Sequence, residues 1–136
     1  MKKTLIATLI AMSTTAAFAA GHAVPMVMAS DQSVANGVVS AEKVIAGENG
    51  WMVVHRTGMD MKPGPVVGYA PLREGENIDV AAILTEPVMP GEMLMLMIHA
   101  ETGGMMTGGF EYTLGAKEDG PIRIDGELVM TVVTAN

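Results

Sequence analysis

The side chains best suited to chemistry in this sequence are soft donors. The chain has 14 methionines, three histidines and no cysteine. A thioether sulfur is neutral and polarisable and selects Cu(I) over hard cations, and imidazole also suits copper. Three groupings follow from spacing. His55, Met59 and Met61 run from a strand end into a loop. His99 is followed by Met105 and Met106 in a glycine-rich stretch. Cleavage after Ala19 leaves Ala20-Gly21-His22 at the amino terminus. There an amine, two amides and the third-position imidazole make a square-planar nitrogen set suited to Cu(II) or Ni(II). Each grouping has a plainer reading beside it. Methionine fills irregular gaps in a core, each imidazole can hydrogen-bond a loop backbone near a strand end, and a three-residue terminus can arise by chance.

Catalytic constellations are missing. The sequence has no Gly-x-Ser-x-Gly, no His-Glu-x-x-His and no phosphate loop. Glu74, Glu76, Glu118 and Asp119 fall in turn-rich segments and read as solvated surface. Glu101, close after His99, is the one carboxylate placed for an acid–base pair. The expectation is a protein that is not an enzyme.

The elements that must position these residues read as strands. Short apolar or alternating runs are cut by Gly, Pro and Asn signals, and no run keeps a helical period. Strands are predicted over 24–29, 37–45, 51–56, 65–69, 77–84, 93–100 and 127–134, with 110–112 as a short edge strand. Seven or eight strands predict an all-β, immunoglobulin-like β-sandwich. Residues 20–30 are read as a tail and first strand, and 31–136 as the sandwich domain. Period-2 geometry puts Met93, Met95, Met97 and His99 on one face of the sixth strand and Leu94, Leu96 and Ile98 on the other. The predicted core is Val39, Ile45, Trp51, Val53, Val80, Ala82, Leu84, Leu94, Leu96, Ile98, Leu128, Met130 and Val132. In such a fold the third and sixth strands pair antiparallel. His55 is then expected beside Met93 or Met95, apart from His99, and two separate metal sites or none are expected.

The first nineteen residues read as a secretory signal peptide. Lys2 and Lys3 precede a short apolar run, Thr4 to Ala11, and Ala17-Phe18-Ala19 has the small residues that signal peptidase requires. No segment reaches the roughly 20 apolar residues of a membrane span, and without cysteine there is no lipid anchor. The expected location is periplasmic or secreted. The formal charge is −7, and loss of Lys2 and Lys3 makes it two charges more negative. Nucleic acid, which needs clustered Lys and Arg, is excluded as a partner. An unnamed protein or small ligand is expected instead, and the sequence does not specify an oligomeric state.

An ordered set of short motifs spans most of the chain after the leader. It comprises Asp31-Gln32, Gly50-Trp51-Met52-Val53-Val54-His55, Gly64-Pro65-Val66-Val67-Gly68-Tyr69, Gly75-Glu76-Asn77, Met97-Ile98-His99 and Asp119-Gly120-Pro121. In these the chain resembles a family of exported domains of unknown function, common in haloarchaeal surface proteins and also found in bacteria. The resemblance implies a β-sandwich and a secreted role but no reaction. It also implies that both His55 and His99 belong to the family pattern, in members without methionine enrichment too. Where the family has His-x-Asp-x-Gly, this chain has His99-Ala100-Glu101-Thr102-Gly103. The best-supported reading is an exported, non-catalytic binding domain. The alternative is a periplasmic Met/His copper-binding or copper-carrying protein.

Overall fold

Apolar runs of five to nine residues between turn signals are too short and too β-branched to build helices. Every regular element among the described residues is a strand. The computed structural model describes residues 23–136. The signal peptide at 1–19 and the Ala20-Gly21-His22 terminus lie outside them. The strands are β1 (Met26–Met28), β2 (Val38–Ala46), β3 (Gly50–Thr57), β4 (Val66–Leu72), β5 (Gly75–Ile83), β6 (Met93–Ala100), β7 (Arg123–Ile124), β8 (Glu127–Leu128) and β9 (Met130–Thr134). One antiparallel sheet has the order β1-β2-β5 and the other β4-β3-β6-β9, while β7 and β8 form a separate hairpin. The chain is therefore an all-β sandwich with immunoglobulin-like strand order.

Several elements differ from expectation, among them β7, where no strand is predicted. Phe110 to Tyr112 is not a strand, and the last predicted strand is divided into β8 and β9. β4 continues through Pro71 to Leu72. Proline is tolerated there because β4 is an edge strand, where its missing N–H breaks no interior ladder.

The main core lies between the sheets. Val39, Ala41, Val44, Ala46 and Ala82 meet Met52, Val54, Leu94, Leu96, Ile98 and Val133. Val80 and Leu84 pack at its margin. Ile45, expected in the core, is only half-buried. The cause is a reversal of parity within β2, where Val39 and Ala41 face inward but so do Val44 and Ala46. The reversal falls at Glu42, which is absent from the otherwise continuous β2–β5 ladder. Asp79, the β5 residue opposite it, has φ 51°. Aspartate is one of the few residues that visits this left-handed region readily.

Trp51 and Val53 also depart from the predicted core. They pair with His99 and Met97, not with Leu96 or Ile98, and so lie on the outer face of the four-stranded sheet. Leu128, Met130 and Val132 pack on that same outer face, and Val129 and Val133 take the inner positions.

Leu96 is fully buried between the sheets. Leu96→Ala is expected to cost about 2–5 kcal/mol in chemical denaturation. Ile83→Ala, at a position 75% exposed, is expected to change stability by less than about 0.5 kcal/mol.

Candidate functional site

The sequences of β3 and β6, GWMVVHRT and MLMLMIHA, are apolar on both faces. One face is covered by the β1-β2-β5 sheet, so the other needs a second cover. The segment following β6 provides it. Trp51, Val53, Met95 and Met97 are buried beneath Phe110 and Leu128, with Val66, Met130 and Val132 at the sides. Trp51, Tyr69 and Phe110 meet edge-on or tilted, with centroids 4.4 to 5.8 Å apart. Gly50 makes the approach of β3 to β6 possible, because a Cβ there would collide with the His99 carbonyl.

His55 and His99 both lie on this covered face and both are fully buried. The expectation that they would stay apart is overturned. In the ladder His55 sits opposite Met95, and His99 opposite Trp51. That is four residues of offset, roughly 13 Å along the strand. Yet Nε2 of one imidazole lies 3.4 Å from Nε2 of the other. The ring centroids are 5.4 Å apart and stacked. Both side chains lie along the sheet toward each other, across the intervening Val53–Met97 pair. Strand register by itself places the two residues apart and does not reveal this contact.

The other ring nitrogens fix the tautomers. His55 Nδ1 is 2.7 Å from the carbonyl of Gly64, and His99 Nδ1 is 2.6 Å from the carbonyl of Asp119. A carbonyl only accepts, so each Nδ1 must carry a proton and donate it. These are the loop-backbone bonds near strand ends that the sequence suggested. When both imidazoles are neutral, this leaves an unprotonated Nε2 on each ring, and the two Nε2 atoms face each other. Burial pushes the His99 pKa down to about 4, outweighing its bond to Asp119, and the nearby His55 adds in the same direction. Burial also lowers the His55 pKa, against the opposing bond to Gly64. Tyr112 closes the site edge-on to both rings, with centroids 4.5 Å from His99 and 5.9 Å from His55.

Asp119 holds the cover in place. Expected as solvated surface, it is buried. Its carboxylate accepts the amides of Thr102 at 3.1 Å and Glu111 at 2.8 Å, while its carbonyl receives His99. Glu111 in turn accepts the amides of Met105 and Met106, and these two bonds lower its pKa. Glu101 accepts the amide of Gly108, so the acid–base pair considered with His99 is not formed.

The two local Met/His groupings are not assembled as drawn. Met59 and Met105 are 90% and 96% exposed, and Met61 and Met106 are also exposed, while both imidazoles are buried. The loops bearing the two Met pairs leave opposite ends of the antiparallel β3–β6 ladder. The buried thioethers beside the imidazoles are instead Met95 and Met97. Residue parity along β6 had placed these on the His99 face. His22 lies outside the described residues. Among the described residues no three or more His, Cys, Asp or Glu side chains cluster as for a metal ion, a grouping that leaves thioethers out. Trp51 Nε1 is buried without a hydrogen-bond partner among the described residues.

A family model, domain of unknown function DUF7282, matches residues 25–136. The chain belongs to that family. No curated protein and no solved structure matches it.

Two outcomes are expected. Because the His99 pKa is lowered by folding, the unfolded chain binds more protons between its ordinary value near 6.5 and about 4. Stability is then complete above pH 6.5 and falls on acidification through that window, at about 1.4 kcal/mol per pH unit per histidine. His55, also lowered, acts in the same direction. Urea midpoints measured from pH 8 to pH 4 check this, and a flat profile contradicts it. Asp119→Ala removes the acceptor of two loop amides. It is expected to cost about 2–3 kcal/mol and to expose residues 101–119 to limited proteolysis.

Proposed function

We propose that this member of the family is an exported, non-catalytic binding domain. One observation carries the reading. A cavity of about 300 Å³ opens beside the aromatic cluster, lined by Asn49, Trp51, Pro71, Arg73, Glu101 and Thr107, among others. Its lining combines one aromatic side chain, Trp51, and the apolar Pro71 and Leu72 with a few convergent polar groups, a mixture usual in small-ligand sites. Arg73 and Glu101 supply opposite charges to its lining, and the nearby indole N–H has no acceptor among the described residues. The acidic balance of the chain disfavours anionic polymers as partners. The leader-like first nineteen residues support export.

A second reading, Met/His copper binding, is favoured by a different observation. The two imidazoles bring free Nε2 atoms together on the methionine face.

Trp51 is the only tryptophan, so its emission reports on the cavity. Small-molecule fractions from the extracellular or periplasmic medium are expected to contain one that shifts Trp51 fluorescence saturably. The same fraction should act at least tenfold more weakly on Arg73→Ala. If no fraction shifts the emission, or if Arg73→Ala responds equally, the cavity is not the binding site.

A further inference from the structure

We propose that His55 and His99 form a buried site for a single soft monovalent metal ion, Cu(I), completed by the thioether of Met97 or Met95. The inference deepens the copper reading and rests on it. It relocates the metal from the exposed methionines to the covered face of the sheet.

The ligands are prepared before any ion arrives. Each Nδ1–H is held by a backbone carbonyl at 2.6 to 2.7 Å. That is the outer arrangement that fixes the tautomer and orientation of metal-binding histidines. Each Nε2 is left with a lone pair, and the two lie 3.4 Å apart. For a metal–nitrogen bond of about 2.0 Å, that separation subtends about 115° at the ion. A bent pair leaves a third position open. Met97 lies between the two imidazoles in the ladder, on the same face, and Met95 lies opposite His55. Both are fully buried.

The donors also select the ion. Two imidazoles and a thioether bring no negative charge. The carboxylate of Asp119, whose carbonyl accepts from His99, is already engaged by two backbone amides. A dication would keep its full charge within an apolar cluster, at a large desolvation cost. A monovalent ion halves that charge, and sulfur with imidazole favours Cu(I) over Zn(II) without thiolate or carboxylate. Tyr112 and Phe110 exclude water from the pair and would keep the ion reduced.

The test uses the protein recovered after export, without oxygen, with Cu(I) supplied from a chelator of known affinity and Ag(I) as a redox-inert probe. One ion per chain is expected. Histidine nitrogen NMR should show both Nε2 resonances moving with one equivalent of Ag(I), while both Nδ1 protons are retained. Met97→Leu and Met95→Leu conserve volume and should fold. Their double variant is expected to bind Cu(I) at least tenfold more weakly. A variant with Met59, Met61, Met105 and Met106 all changed to Leu is expected to bind unchanged. If that surface variant loses the ion and the buried one keeps it, copper binding stands but this site is wrong. The same holds if removal of residues 20–23 abolishes binding. If no form of the protein competes with the chelator and neither Nε2 moves, this site and the copper reading both fail.

Discussion

The pairing of β3 with β6 is the interaction on which the rest of the structure depends. The two strands run in unbroken register from Gly50 opposite Ala100 to Thr57 opposite Met93, and their side chains are apolar on both faces. The second sheet can cover only one of those faces. Water on the other would leave Trp51, Val53, Met95 and Met97 exposed, at about 1.5–3 kcal/mol each for the larger side chains. The segment 101–128 supplies the missing cover, chiefly through Phe110, Tyr112 and Leu128. Irregular loops of that length are uncommon in small domains, and this one has few regular ladders to satisfy its backbone. Carboxylates do so instead. Asp119, Glu111 and Glu101 accept amides of Thr102, Glu111, Met105, Met106 and Gly108. Asp119, which looks like solvated surface in the sequence, is one of the fasteners of the second core.

Much of the sandwich was legible because strand boundaries depend on local signals. Met93 to Ala100 is bounded by Gly91 and Glu101, and the observed strand has those limits. Parity was not legible on β3. Trp51, Met52, Val53 and Val54 form an uninterrupted apolar run, so no polar residue marks an outward face. Only the ladder with β6 reveals that Trp51 and Val53 share a side with Met97 and His99. Ile45 was misplaced for a related reason, since the reversal at Glu42 depends on Asp79 across the sheet. No signal within β2 announces it. Asp119-Gly120-Pro121 reads as a turn, and its backbone is turn-like, with φ 46° at Asp119. Its burial is a long-range property of the segment it anchors. The His55–His99 contact was hidden because register alone separates their Cα atoms by four positions. Ring orientation, set by Gly64 and Asp119, closes that distance.

The electrostatics of the histidine pair define what an ion bound there would change in the fold. Two acceptors facing each other at 3.4 Å are too close for an in-line bridging water, which needs about 2.8 Å on each side. Reversing a tautomer does not help. It would donate Nε2–H across the pair but turn a bare Nδ1 toward a carbonyl, replacing one mismatch with another. Adding a proton satisfies both Nε2 atoms, but places a cation where burial drives both imidazoles toward neutrality. A soft monovalent ion satisfies both lone pairs and preserves both Nδ1–H bonds. Because one of those bonds ends on the Asp119 carbonyl, and the Asp119 carboxylate fastens the loop at Thr102 and Glu111, an ion at the pair would be linked to the order of the entire cover. Whatever binds only the closed form stabilises it by RT ln(1 + [L]/Kd), about 2.7 kcal/mol at a hundredfold excess over Kd. That is comparable to the hydrogen bonds made by Asp119. The loop that hides the site would then be held closed partly by what it encloses, and opening of the loop would set the rate of exchange.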